Sequence, residues 1–211
     1  MMNSNVMRYA LLAVSVNKQN HLFQSNYLAG LVALGLYELE ECGSLTWDGE
    51  RCVLGQPVPE ERAYLAGLYQ SIAGAADQSM RGLLVMMLKQ GAQAFSDQVN
   101  QWMVDQGWVT ATTKKGLFGV ESQRLEVAAV KQFALAVTTG QPVTAAQLTL
   151  AQVLLKTELL YECFDRQEAK AVKTGLVSAA EQADSVSLKL LETIDQAVVL
   201  ALAAVATVML S

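Results

Sequence analysis

The chain has 211 residues, of which 52% are hydrophobic and only 17% are charged, and its formal net charge is -5. This length suffices for one domain with a sizeable core, and the apolar share, with only three prolines, favours helices. The acidic balance disfavours nucleic-acid binding, which draws on lysine and arginine contacts to phosphate, and a purely electrostatic attraction to anionic membranes.

The cysteines and the apolar runs indicate a cytoplasmic protein. Cys42, Cys52 and Cys163 form no CxxC pair, and free thiols in a reducing cytosol are favoured over a bridge between Cys42 and Cys52. The first residues lack the basic region and the cleavage site of a signal peptide. The longest apolar run, 197–210, is shorter than the roughly 18–20 residues of a membrane-spanning helix.

Residues 7–41 begin the predicted elements. Residues 7–16 are apolar enough for a buried strand or a buried helix, and so short a run does not separate the two. A helix then follows, with Ser25 or Asn26 as its N-cap. Its apolar residues recur at helical spacing and predict one buried face, formed by Leu28, Leu31, Val32, Leu36 and Leu39.

The end of this helix leads into a predicted hairpin. Glu38, Glu40 and Glu41 are expected on the solvent side, and a solvated face is favoured over a functional carboxylate cluster. Gly43 is predicted to end the helix, because glycine adopts the left-handed C′ conformation without a Cβ clash. Residues 44–54 alternate in polarity and predict two short strands with Asp48-Gly49 as the turn.

Three further helices are predicted before the next glycine stop. They cover 60–73, 79–88 and 93–106, the last with Phe95, Val99, Trp102 and Met103 facing inward. At Gly107 the helix–glycine–strand pattern returns, since "WMVDQGWVTA" parallels "ELEECGSLTW", and Lys114-Lys115 would lie at the tip of a second hairpin. We interpret this as structural similarity, because the identities are too few for a sequence repeat.

The remaining chain is predicted to be helical. Helices are expected at 125–138, 144–164 and 185–210, with Thr144 as a cap of the second. From Asp165 or Arg166 to about residue 180 the second helix either continues or restarts, with Gly175 as a weak point. Residues 197–210 are apolar on every side, so other helices should surround them. The predicted fold is one mainly α domain over residues 1–211, a helical bundle around the apolar C-terminal helix with one or two small β-hairpins.

No catalytic, metal or cofactor site is predicted. His21 is the single histidine, which rules out a two-histidine metal site and leaves a surface or capping role favoured for it. Residues 116–119 (Gly-Leu-Phe-Gly) lack the helix-opening context of a phosphate-binding loop. The protein is therefore expected not to be an enzyme.

One pattern of positive charge stands out. Arg166, Lys170 and Lys173 lie at i, i+4 and i+7, so they form one helical stripe that could hold a phosphate or an anionic head group. The alternative, a solvated face, is favoured. A winged-helix DNA-binding domain would fit the helix–hairpin pattern, but residues 93–106 contain no lysine or arginine, so no nucleic-acid partner is predicted.

An ordered set of motifs resembles the Golgi phosphoprotein 3 family over most of the chain, from about residue 7 to residue 210. The motifs are Leu28-Ala29-Gly30, Glu38-Leu39, Gly43-Ser44-Leu45, Val104-Asp105-Gln106-Gly107-Trp108-Val109, Gly116-Leu117-Phe118, Thr144-Ala145-Ala146-Gln147-Leu148 and Leu154-Leu155. The resemblance, to a short bacterial-type member, implies a mostly helical domain. It also implies a peripheral membrane protein that recognises phosphatidylinositol 4-phosphate.

The sequence departs from the family at the lipid site. There the head group meets a tryptophan and an arginine around the first helix and two basic residues before the second glycine. The equivalent positions here are Phe23, Val32, Gln93 and Ser96, so the cations are missing. Each charge-assisted bond to phosphate contributes roughly 1.5–3 kcal/mol, so the loss lowers affinity on the order of a thousandfold.

Two functions are therefore predicted as alternatives. The first is an anionic-lipid-binding peripheral membrane adaptor with a changed head-group preference. The second is a protein–protein interaction domain, or a homo-oligomer, that has lost lipid binding.

Overall fold

The computed structural model describes residues 4–16, 21–49, 51–108 and 144–181, and within these ranges the protein is mainly helical with a single two-stranded sheet. This confirms the mainly α fold class. The predicted second hairpin, the predicted helix 125–138 and the apolar segment 197–210 lie outside the described residues.

The first element, α1, spans Asn5–Val16 and settles the alternative between strand and helix in favour of a helix. Ser4 caps it, because the Ser4 hydroxyl accepts a hydrogen bond from the Met7 N–H at 3.1 Å. The side chains of Val6, Met7 and Tyr9 are fully buried. This first helix packs against the helices His21–Glu41, Ala92–Asp105, Ala145–Lys156 and Leu159–Cys163, so it lies inside the described bundle.

The second helix, α2, spans His21–Glu41 and is longer than predicted. Ser25 and Asn26 are interior residues rather than N-caps, so that prediction was wrong. The helix ends as predicted: Gly43 has φ 73°, and the Ser44 N–H donates to the Leu39 carbonyl at 2.9 Å. Residues 29–39 of α2 are all buried, so the predicted single apolar face understates its burial.

The hairpin consists of β1 (Leu45–Asp48) and β2 (Arg51–Leu54). Asp48 pairs with Arg51, so Asp48 belongs to β1 and the two-residue connection is 49–50, one residue later than predicted. Gly49 supplies the positive φ of 61° that this tight turn requires. The Cys52 N–H donates to the Gln78 carbonyl at 2.8 Å, which connects β2 to the loop before the helix Met80–Met86.

Residues 60–105 form helices of three kinds. A 3-10 helix at Glu60–Leu65 leads into α3 (Ala66–Ala73) across non-helical angles at Arg62, so the predicted helix 60–73 is kinked. The helices α4 (Met80–Met86) and α5 (Ala92–Asp105) are joined by a π-helical turn at Met87–Gly91. Gly107, with φ 69°, ends α5 as Gly43 ends α2, since the Trp108 N–H donates to the Met103 carbonyl.

The last described helices are α6 (Ala145–Lys156), α7 (Leu159–Cys163) and α8 (Arg166–Glu181). Thr144 and Gln147 form a capping box at the start of α6, which confirms the predicted cap. The predicted continuous helix 144–164 was wrong, because Glu158 has φ 61° and separates α6 from α7. Gly175 lies within an unbroken α8, so it is not a weak point.

No helix among the described residues has the length and apolarity needed to cross a bilayer. The buried apolar side chains of α1, α2, α5 and α6 form one contiguous core, with the hairpin and α3 covering one part of it. This core positions the surfaces described next.

Candidate functional site

The positions matched to the family's lipid site lie where α2 meets α5. The Tyr27 hydroxyl of α2 and the Ser96 hydroxyl of α5 are 3.3 Å apart and hydrogen-bonded. Phe23 lies one turn before Tyr27 in α2, but its side chain is outside the described part. Gln93 lies one turn before Ser96 in α5.

Two of these four positions do not reach solvent. Val32 has no exposed surface, and Ser96 is 3% exposed. Gln93 is exposed, and its amide donates to the Asp97 carboxylate at 2.9 Å. Of the three described side chains, Gln93 alone can therefore contact a ligand at the surface.

A buried polar network lies beneath this position. The rings of Tyr9 and Tyr27 stack with centroids 5.7 Å apart and planes 8° apart. The Tyr9 hydroxyl donates to the Thr157 hydroxyl at 3.1 Å, and burial raises the pKa of Tyr27 to about 12. The interior at this contact is thus filled by neutral hydroxyl groups, so it is an unfavourable place for a buried anion.

An exposed cation lies close to Gln93 in the chain. Lys89 and Gln90 are exposed and belong to the π-helical turn that precedes α5. Turns of this kind occur frequently at functional sites, because the extra residue re-aims the neighbouring side chains. We call Lys89, Gln90 and Gln93 the Lys89 surface. The side chain of Arg81, another cation near in sequence, is outside the described part.

The second predicted cationic site lies on α8. Arg166, Lys170 and Lys173 are all exposed. The opposite side of α8 is buried against α6 and α7 through Ala169, Val172 and Leu176. We call the three cations the cation stripe.

One carboxylate is buried where the sequence pattern predicted an exposed one. Glu38 is 1% exposed, so the predicted solvent position was wrong for it, although Glu41 is exposed as expected. The Glu38 Oε2 accepts hydrogen bonds from the Tyr64 hydroxyl at 2.6 Å and the Ser4 hydroxyl at 3.1 Å. Its Oε1 accepts from the Val6 N–H at 3.0 Å.

The electrostatics of Glu38 follow from this burial. Burial raises the pKa of the Glu38 carboxyl, while hydrogen bonds from Tyr64, Val6 and Ser4 lower it in part. Burial and the neighbouring Glu38 carboxylate raise the pKa of the Tyr64 hydroxyl. One signal was available in the sequence: Glu38 lies seven residues after Leu31, on the same side of a helix as the apolar residues.

The remaining titratable groups are dispersed. Cys42 and Cys52 are free thiols, so the alternative of a bridge between them is excluded, and burial raises the pKa of Cys52 to about 11. The side chains of Cys163 and His21 are outside the described part. Among the described residues, no group of three histidine, cysteine or acidic side chains is placed to hold a metal ion.

Comparison with known proteins gives one match. The family model described as Golgi phosphoprotein 3 (GPP34) matches residues 7–205 of the chain. Neither a search of curated proteins nor a search of solved structures finds a significant match. The match covers nearly the whole chain, including every described element except the first residues of α1.

Proposed function

Because the chain belongs to the Golgi phosphoprotein 3 (GPP34) family, we propose that it is a non-enzymatic peripheral membrane adaptor that binds anionic lipid. The family match over residues 7–205 carries this proposal. The proposed location is the cytoplasm and the surface of a membrane that faces it.

The proposed contact is the Lys89 surface. Lys89 supplies the positive charge, and the amides of Gln90 and Gln93 supply hydrogen-bond donors to phosphate oxygens. Lysine is a compact, mobile point charge, so it suits phosphates in varied positions. This surface is adjacent to the α2–α5 contact at Tyr27 and Ser96, where the family positions lie.

The proposed head-group preference is for negative charge rather than for one inositol lipid. Val32 and Ser96 are buried, so they do not contact a sugar ring. One lysine and two amides supply few hydrogen-bond donors in fixed directions, so they do not select one lipid head group by its shape. Phosphatidylglycerol and phosphatidylinositol 4-phosphate should therefore bind similarly when their total charge is matched.

Vesicle co-sedimentation tests the proposal. Vesicles of phosphatidylcholine alone are compared with vesicles containing phosphatidylglycerol or phosphatidylinositol 4-phosphate at equal negative charge. We expect binding to both anionic vesicles, weakened by salt, and little binding to phosphatidylcholine. Absence of binding to either anionic vesicle would refute the lipid function.

A pair of variants locates the contact. Lys89→Gln should weaken vesicle binding about tenfold, because one charge-assisted hydrogen bond contributes roughly 1.5–3 kcal/mol. Lys173→Gln removes another exposed charge, from α8, and should leave vesicle binding unchanged. Equal effects of the two substitutions would show that only the net charge matters.

One observation favours the second candidate, a protein–protein interaction domain without lipid binding. Gln93 is hydrogen-bonded to Asp97, whose carboxylate is exposed one turn further along α5 and would repel a phosphate. Sedimentation analysis tests its homo-oligomeric form. A concentration-dependent dimer, with no vesicle binding, would favour this candidate, and a monomer at all concentrations would count against a homo-oligomer.

A further inference from the structure

The cation stripe is separated from acidic side chains on its own helix. The exposed residues of α8 between 166 and 176 are Arg166, Gln167, Lys170, Ala171, Lys173 and Thr174, and none of these is acidic. Glu168 is half-buried, and its Oε2 accepts a hydrogen bond from the Asp165 N–H at 3.1 Å. Its carboxylate therefore accepts a hydrogen bond at the start of α8.

The three cations also lack acidic partners elsewhere in the described structure. Within the described ranges, the ion pair found is that between Arg62 and Glu41, at 2.7 Å, and no carboxylate is paired with Arg166, Lys170 or Lys173. This is notable because the chain has 20 acidic residues against 15 basic ones. Three aligned, exposed cations without an acidic partner among the described residues therefore form a local positive surface on a chain whose net charge is negative.

An exposed aromatic side chain precedes the stripe. Tyr161 is 52% exposed, more than the other large hydrophobic side chains exposed in the described part, Val53 and Trp108. It lies on α7, which packs against α8. Tyrosine provides a large contact area with few rotatable bonds, which is why it is enriched in protein interfaces.

From this geometry we propose that the cation stripe and Tyr161 form a docking surface for an acidic helical segment of a partner protein. Positions i, i+4 and i+7 span roughly 10 Å along a helix axis. A partner helix with carboxylates at the same spacing can pair with all three cations at once, and an apolar residue at its end can pack on Tyr161. This surface is separate from the Lys89 surface and does not depend on lipid binding.

The surrounding charges favour a narrow partner over a bilayer. Glu158, Glu162 and Asp165 are exposed near Tyr161, so a flat anionic membrane that covered Tyr161 and the stripe would also meet these carboxylates. Like charges brought together in this way oppose binding. A single helix covers a smaller area than a bilayer does, so it can contact the stripe with less exposure to these carboxylates.

Designed peptides test the proposal without an identified partner. The probe is an alanine-rich helical peptide with glutamates at i, i+4 and i+7 and a leucine one turn beyond. A peptide of the same composition with its glutamates at i, i+2 and i+5 controls for charge alone. Binding to the full chain is followed at low salt by amide NMR titration, which detects weak complexes.

We expect the aligned peptide to shift the amide signals of α7 and α8 and to bind at least tenfold more tightly than the rearranged peptide. The triple substitution R166Q/K170Q/K173Q should reduce this affinity at least tenfold, while Lys89→Gln should not change it. Tyr161→Ser should weaken binding of the aligned peptide by a smaller factor.

Three results would overturn the proposal: equal affinity for both peptides, unchanged affinity of the triple variant, or absence of binding by the aligned peptide. Loss of binding to anionic vesicles by the triple variant would be a fourth such result, because it would assign the stripe to a membrane contact. The first three results leave vesicle binding and the effect of Lys89→Gln on it untouched, so they overturn the docking proposal alone. The fourth would also contradict the assignment of the membrane contact to the Lys89 surface.

Discussion

A single buried carboxylate joins three separate parts of this chain. Glu38, near the end of α2, accepts hydrogen bonds from Ser4 and Val6 at the start of α1 and from Tyr64 in the 3-10 helix. The Arg62 guanidinium donates to the Glu38 backbone carbonyl at 3.0 Å and is paired with Glu41. Donors from the first turn of α1 also favour negative charge on Glu38, because helix N-termini carry partial positive charge.

The raised pKa of Glu38 predicts how stability depends on pH. A carboxyl whose folded-state pKa lies above its unfolded value binds more protons when folded, so its contribution is fully present below the unfolded pKa. The contribution is lost as pH rises from the ordinary value of 4.5 through the raised folded value. Glu38→Gln removes this titration and keeps an oxygen for the Val6 N–H. We therefore expect the variant to gain unfolding free energy relative to wild type as pH rises.

Urea unfolding at a series of pH values measures this difference. Glu61→Gln, at an exposed carboxylate of the 3-10 helix, serves as the matched control for the loss of one carboxylate. A difference between Glu38→Gln and wild type that stays constant with pH, or that changes no more than the difference measured for Glu61→Gln, would contradict the account of Glu38.

The hydrogen bond between Tyr27 and Ser96 gives a second prediction. Tyr27→Phe should lower the unfolding free energy by about 1 kcal/mol, because it removes one partner of a bond to the buried Ser96 hydroxyl. The double variant Tyr27→Phe/Ser96→Ala should lose less unfolding free energy than the two single variants lose together, since no polar group then remains without its partner. Strict additivity in this double-mutant cycle, measured by urea unfolding, would show that the two hydroxyls do not interact.

Two helices of this protein end in the same way. Gly43 after α2 and Gly107 after α5 both have positive φ, and in each case the next residue donates its N–H to the carbonyl five residues earlier. Glycine adopts this conformation at no steric cost, whereas other residues pay roughly 1–2 kcal/mol. These two residues therefore fix where α2 and α5 stop.

Glycine substitutions at helix ends test this directly. Gly107→Ala should lower the unfolding free energy by about 1 kcal/mol through backbone strain, because no atom of the described residues lies within 4 Å of the added Cβ. Gly74→Ala is the matched control at the end of α3. Its φ of -86° suits alanine, so it should raise stability by about 0.4–1 kcal/mol. Thermal unfolding compares the two variants, and a loss of stability in both would contradict the explanation.

Elements governed by local chemistry were predictable from the sequence. The glycine stops, the hairpin and the Thr144 cap each depend on residues close together in the chain. The local sequence pattern therefore predicted that each of them exists. The break between α6 and α7 was not predictable, because it coincides with a long-range contact. Thr157 is buried there, donates to the Val153 carbonyl and accepts a hydrogen bond from Tyr9, which lies 148 residues away in the chain.

In the candidate site, too, some features follow from the local sequence and others depend on long-range packing. The exposure of the cation stripe follows from helical spacing, and the structure places all three cations at the surface. The burial of Val32 and Ser96 depends on how α2 packs against α5, which one-dimensional spacing does not determine. Glu38 was predicted to be exposed because it is charged. Its hydrogen-bond partners Ser4 and Tyr64 lie 34 and 26 residues away in the chain, so the local sequence does not indicate them.

At the scale of the whole molecule, the described helices form a scaffold with two separate polar surfaces. The Lys89 surface lies on the π-helical turn and α5, and the cation stripe lies on α8. The helices that carry these surfaces belong to one core, because α1 packs against α5, α6 and α7, and α8 packs against α6 and α7. An adaptor requires such an arrangement, with one surface for the membrane and another for a partner. Both functions remain our proposals.

Hydrogen–deuterium exchange on vesicles is the most direct test of membrane docking. The chain is compared in buffer, with phosphatidylcholine vesicles, and with vesicles that also contain phosphatidylglycerol. We expect slower amide exchange across the π-helical turn and the first turn of α5 only on the anionic vesicles, with α8 unchanged. Protection confined to α8, or no protection of any described segment on anionic vesicles, would contradict the proposed membrane surface.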